Sequence, residues 1–129
     1  MLPSKISISK DAGGQLRALA QRARLTPNLL ARMALTTSLE AGALGALQKP
    51  AEVSGQEFNT YTLLGTDQHL YLALVELVEG DALNEADPNP DSDRLIDCMV
   101  AHIERGISQI ALRIKTPGDV ARLMAGATA

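Results

Sequence analysis

Aromatic residues are nearly missing from this chain, which has two tyrosines, one phenylalanine and no tryptophan. Single-strand binding by base stacking needs several exposed rings, so this scarcity argues against it. Cysteine is scarcer still: Cys98 stands alone, and no disulfide can form within the chain. No apolar run approaches the roughly 18 residues of a membrane span. The opening Met1-Leu-Pro-Ser-Lys lacks the apolar stretch of a secretory leader, and with the missing disulfides this points to the cytoplasm and away from membranes. What is abundant is alanine and leucine, in 129 residues that suit one domain spanning 1–129. A core of this kind comes from closely packed helices rather than from aromatic-rich sheets.

Charge is unevenly placed. Residues 1–49 hold seven basic side chains (Lys5, Lys10, Arg17, Arg22, Arg24, Arg32 and Lys49) against Asp11 and Glu40, a balance of +5. Residues 50–129 hold five basic and thirteen acidic residues, a balance of −8. A basic end on an acidic chain suggests a polyanion site on one face, although a solvated arginine-rich helix would give the same count.

Residues 4–9 alternate, with Ile6 and Ile8 on one side and Lys5, Ser7 and Ser9 on the other, the pattern of a short half-buried strand. Ser9 fits as the N-cap of a helix from Lys10 to about Ala23, with Gly13 and Gly14 weakening its start. Thr26-Pro27 opens a second helix that runs to about Ala41 and stops at Gly42. That helix is apolar nearly all round, so it is central or lies in a subunit interface, with Arg32 serving an interface with Glu40. Residues 48–56 form a loop. Phe58–Leu64 is expected as a strand ended by Gly65. Thr66 or Asp67 then caps a helix to about Glu79 with Leu70, Ala73, Leu74, Leu77 and Val78 on its inner face. Residues 80–93 form an acidic surface loop. Asp91 or Ser92 starts the longest helix, whose stripe is Ile96, Met99, Val100, Ile103, Ile107, Ile110 and Ile114; Thr116-Pro117 opens a last short one before a frayed end. The fold class is therefore mainly α: a compact helical domain with a short N-terminal strand, a helix-turn-helix, and two longer C-terminal helices.

No catalytic arrangement emerges. His69 and His102 lie far apart and lack partners at metal spacing; His102, with Glu104 and Arg105, suggests surface polarity and a structural or interface role. Cys98 precedes an apolar stripe position, with nothing nearby to lower its pKa, and is expected to be an inert thiol. Gly13-Gly14 is too short for a phosphate loop. Asp87, Asp91 and Asp93 lack the glycine and terminal glutamate of a calcium loop. No metal and no cofactor is expected.

The order strand, helix, tight turn, helix is that of the ribbon-helix-helix DNA binders, in which two chains pair their strands into a ribbon for the major groove. Lys5, Ser7 and Ser9 would then read DNA, while Thr26, Asn28 and their amides would face a phosphate at a helix N-terminus. The same order also suits a strand and helix pair that merely packs on the rest of the fold.

Two stretches carry a more specific likeness. Met1-Leu-Pro-Ser-Lys-Ile-Ser-Ile-Ser-Lys and Leu25-Thr-Pro-Asn-Leu-Leu-Ala-Arg-Met-Ala, continuing to Ser38-Leu-Glu-Ala-Gly42, resemble the DNA sulfur modification protein DndE family. Glu57-Phe-Asn, Tyr61-Thr-Leu-Leu-Gly65 and Ala101-His-Ile-Glu-Arg-Gly106 support the resemblance, which is collinear over roughly residues 1–112. It implies a role in DNA phosphorothioation, where sulfur replaces a non-bridging phosphate oxygen. It also implies a small helical tetramer that binds duplex DNA, preferably nicked, while a cysteine desulfurase and other Dnd proteins perform the sulfur chemistry. The family's basic surface is lysine-rich; here Lys5, Lys10 and Lys49 are joined by arginines, which also serve phosphate well.

The expectation is thus a DNA-binding subunit without chemistry of its own, its basic face formed by Lys5, Lys10, Arg17, Arg22 and Arg24 with Thr26 and Asn28. Three alternatives stand beside it: a sequence-specific ribbon-helix-helix regulator, a metal-dependent DNA-nicking enzyme, and a scaffold for the other Dnd proteins.

Overall fold

The computed structural model describes residues 3–45, 55–83 and 94–125. Its elements run β1 (Lys5–Ser7), α1 (Lys10–Ala23), α2 (Pro27–Glu40), β2 (Glu57–Asn59), α3 (Thr60–Leu64), a 3-10 turn (Gly65–Asp67), α4 (Gln68–Leu83), α5 (Arg94–Arg113) and α6 (Pro117–Met124). The mainly helical expectation holds. Lys49, the aspartates at 87, 91 and 93, and the terminal residues 126–129 lie outside the described residues. No helix among the described residues is long and apolar enough to cross a membrane.

Local chemistry sets the first boundaries. The Ser9 hydroxyl accepts from the Ala12 amide at 3.1 Å and starts α1. Arg24 ends it in the left-handed region at φ 57°, and the chain turns at once into α2. There Thr26 accepts from the Leu29 amide at 3.3 Å, and Pro27 fills a first-turn position that needs no donor. Beyond the cap residue Ala41, Gly42 adopts φ +99°.

The core is built on α2 against α5. Leu30, Ala31, Ala34 and Leu35 meet a stripe of Met99, Ile103, Ile107 and Ile110, all fully buried. The helices cross at Gly106, where a Cβ would stand 1.8 Å from the Ala34 carbonyl oxygen. Only glycine lets the two backbones come this close. α1 adds Ala12, Leu16, Leu19 and Ala23 from one side.

Three expectations are corrected. The segment expected as a strand over 58–64 splits: only Glu57–Asn59 is extended, and Asn59 then caps α3 by accepting from the Thr62 amide at 3.0 Å. Asparagine at an N-cap outweighs the β preference of the residues that follow. The ribbon is also different. β1 pairs antiparallel with β2 of its own chain, Ile6 opposite Phe58, rather than across to a second copy on this edge. Within the chain, the Arg32 guanidinium donates to the Leu63 carbonyl at 2.7 Å and the Thr62 carbonyl at 3.3 Å, closing the end of α3. Finally, α4 is rotated from its expected phase. It buries Val75 and Glu79, leaves Leu70, Ala73, Leu74 and Leu77 exposed, and runs through Gly80 to Leu83. A helix apolar on almost every side carries no phase in its periodicity.

Candidate nucleic-acid interface

Lys10 and Arg17 stand seven residues apart and so share one side of α1, and Arg24 follows at its left-handed C-cap, outside the helical phase; all three are exposed. The interval from Lys10 to Arg17 spans about 10 Å along the axis. The row thus extends from the N-cap of α1 to the turn before α2.

The other expected contacts are partly committed elsewhere. The Arg22 Nε donates to the Ile114 carbonyl at 3.3 Å, and its Nη2 to the Ala111 carbonyl at 3.4 Å. It therefore caps the C-terminal end of α5, where a cation complements the helix dipole. Thr26 uses its hydroxyl on Leu29. Asn28 is half-buried, its Oδ1 closed off without a hydrogen-bond partner. On β1, Lys5 lies 3.5 Å from Glu57, both side chains well exposed, a pairing worth little in water. Ser7 is half-buried opposite Glu57. Ser9 turns inward, donating to Glu104 Oε1 at 2.5 Å while it caps α1. The strand therefore offers Lys5 beside the Glu57 carboxylate, whereas α1 and its C-cap offer three exposed cations.

Lys115 was invisible to the charge count because it sits in the acidic half of the sequence. The Arg22 cap brings the end of α5 against α1, and exposed Lys115, the next residue after Ile114, turns its amine back to the Ala111 carbonyl at 3.3 Å. Arg122 is neutralised by its ion pair with Asp119. The Asp119 carboxylate also accepts from the Lys115 and Thr116 amides, and these bonds hold its pKa down at about 2.

A second polar group is largely interior, with Arg105 half-buried at its edge. Arg105 Nε donates to Ser38 Oγ at 2.7 Å, so the serine proton points to His102 Nδ1, also 2.7 Å away. The imidazole must then carry its proton on Nε2, which donates to Glu79 Oε2 at 3.1 Å. Glu79 closes the line by accepting from the Leu44 amide at 3.0 Å. Arg105 also donates to the carbonyls of Ser38, Gly42 and Ala43. Serine, histidine and carboxylate in a row suggest a nucleophile, but Ser38 and His102 have no exposed surface and Glu79 has 4 %. The set braces α2, α4, α5 and residues 42–44 against one another. His102 is thus interior rather than part of a polar surface. Desolvation holds its pKa below the ordinary 6.5, which keeps it neutral. Cys98 is buried as well; desolvation, then the nearby Glu79, push its thiol up to about 11. Ser38 and Glu79 carried no sequence signal. Among the described residues, no three His, Cys, Asp or Glu side chains gather to hold a metal ion.

The family model for DNA sulphur modification protein DndE matches residues 5–117. The chain belongs to the DndE family. Among solved structures, DndE from Escherichia coli B7A, involved in DNA phosphorothioation modification, superposes with a TM-score of 0.65 at 24 % identity. That match covers 85 % of this chain and 98 % of the other. A glycine-to-lysine double mutant of DndE, also involved in DNA phosphorothioation, gives the same score and identity over 85 % of this chain and 99 % of its own. These likenesses support the fold. No curated protein matches the chain. The family match takes in α1, α2, the interior brace and α5, so the basic row and its support both lie within it.

Proposed function

We propose that this chain is the DNA-binding subunit of a DNA phosphorothioation machinery, holding duplex DNA, intact or nicked, by its phosphates. The observation that carries this reading is the pair of exposed cations Lys10 and Arg17 on one side of α1, continued by exposed Arg24 at its C-cap. Lys5 adds a further exposed cation on β1, and the Asn28 amide at the start of α2 adds a donor. Cations spaced along a rigid helix suit a polyanion and read no bases. The regulator reading is weaker, because β1 already has a partner strand and Glu57 stands beside Lys5. In this proposal the chain works in the cytoplasm as a homo-oligomer, a tetramer by family likeness, and leaves the sulfur chemistry to other Dnd proteins.

Gel shifts on intact and nicked duplex test it. Three phosphate contacts predict a loss of roughly forty-fold in affinity between about 50 and 200 mM salt. Lys10→Glu with Arg17→Glu should abolish the shift while leaving the melting temperature unchanged. Binding indifferent to salt and to these substitutions would overturn the reading. Equal affinity for the two duplexes would remove the nick preference alone. Supercoiled plasmid should survive incubation with Mg²⁺ or Mn²⁺; its conversion to open circles would make the protein a nicking enzyme.

A further inference from the structure

Among the large exposed apolar side chains, Leu77 is 79 % exposed, Leu70 55 % and Leu74 36 %, all on α4. Ala73 is exposed between them. A buried apolar residue stabilises by roughly 1.5–3 kcal/mol relative to an exposed one, so three leucines aligned in water form a surface that burial would favour. Positions 70, 73, 74 and 77 form one stripe, while Val75 and Glu79 face the chain's own core. The stripe has the spacing of a helix-packing seam.

We propose that this stripe docks a second copy of the same chain, the two α4 helices antiparallel about a two-fold axis passing between Ala73 and Leu74. Two features fit that occupant. The spacing is palindromic: turned end for end, Leu70 meets Leu77 of the second copy, and Ala73 meets its Leu74. The small Ala73 lets the helices approach closely at the axis. The polar flank matches too. His69 and Glu76 are exposed and seven residues apart, so they lie on the same side of the stripe. The antiparallel two-fold sets each His69 beside the other copy's Glu76, offset by about 3 Å along the axis. In a parallel pair that flank would face the side of the stripe carrying Leu74. The inference rests on the homo-oligomer reading above and adds the face, direction and register.

The experiment measures mass by light scattering for the full chain and for Leu70→Asp with Leu77→Asp, with circular dichroism as a check on folding. The variant should keep its helical spectrum and fall to half the wild-type mass or less. An unchanged mass would overturn the α4 interface alone. A wild-type chain that is monomeric at every concentration would overturn both the interface and the homo-oligomer reading. Register is read by disulfide trapping. Leu70→Cys mixed with Leu77→Cys should give a linked dimer, whereas each variant alone should not. In the antiparallel pair, like positions are about 10 Å apart along the axis, beyond the roughly 7 Å limit between Cα atoms for a disulfide. The native thiol is buried and does not compete. Linkage by either variant alone, at the rate of the mixture, would overturn the register; so would a mixture that links to unrelated protein and not to itself.

Discussion

The most demanding single position is Gly106. A Cβ there would overlap the Ala34 carbonyl group, and backbone cannot swing aside as a side chain can. Gly106→Ala should therefore cost about 3 kcal/mol, the upper end for overpacking, out of a total in the range of about 5–15 kcal/mol for a domain. Urea unfolding measures it, and a loss below about 1 kcal/mol would mean that α2 and α5 do not cross this closely. His102 makes a prediction of the opposite kind, about pH. Desolvation lowers its folded pKa below 6.5, so between the two values the unfolded chain binds more protons than the folded one. Its contribution is fully present above pH 6.5 and is lost as pH falls through that value towards the folded pKa. The ring-proton NMR signal of His102 should have its midpoint below 6.5; a midpoint at or above that value would contradict the neutral imidazole. Asp119, held at about 2, contributes above its ordinary 3.8 and loses that contribution as pH falls through 2.

At the scale of elements, what was legible is what depends on neighbours in sequence. Ser9, Thr26-Pro27 and Thr116-Pro117 mark helix starts with local chemistry, and α1, α2 and α6 begin where those residues place them. The strongly striped α5 also kept its phase. α4 did not, because leucine and valine surround it and the burial of Glu79 is decided by His102 and Leu44, both distant in sequence. The basic row on α1 was legible as charge, but the work of each cation was not. Arg22, Arg32 and Arg105 all donate to carbonyls at the ends of helices, and nothing in the sequence separates them from Arg17 and Arg24. That division predicts two different mutants. Arg22→Ala should destabilise the fold by about 1 kcal/mol through its lost bonds to the end of α5. Arg17→Ala should leave the melting temperature alone and weaken DNA binding. Thermal melts beside gel shifts make the comparison, and equal effects on stability would erase the distinction.

At the scale of the whole molecule, the basic row and the α4 stripe belong to different elements and do different things. Their combination has a measurable consequence. A single copy offers Lys10, Arg17 and Arg24 to phosphate, so the logarithm of its affinity should fall against the logarithm of salt with a slope near −2.7, about 0.9 per neutralised phosphate. Two copies joined through α4 double the number of rows. If both rows lie on one duplex, the slope approaches −5.4, and the linked pair gains from the high effective concentration of its second row. Separating the copies with Leu70→Asp and Leu77→Asp should therefore halve the slope without touching a basic residue. Removing Lys10 and Arg17 should instead lower it within an intact assembly. Fluorescence anisotropy over a salt series reads both. An unchanged slope in a demonstrably dissociated variant would mean that each row engages DNA alone, with the assembled faces pointing apart. A slope that halves would show that joining copies through α4 composes the DNA-binding surface.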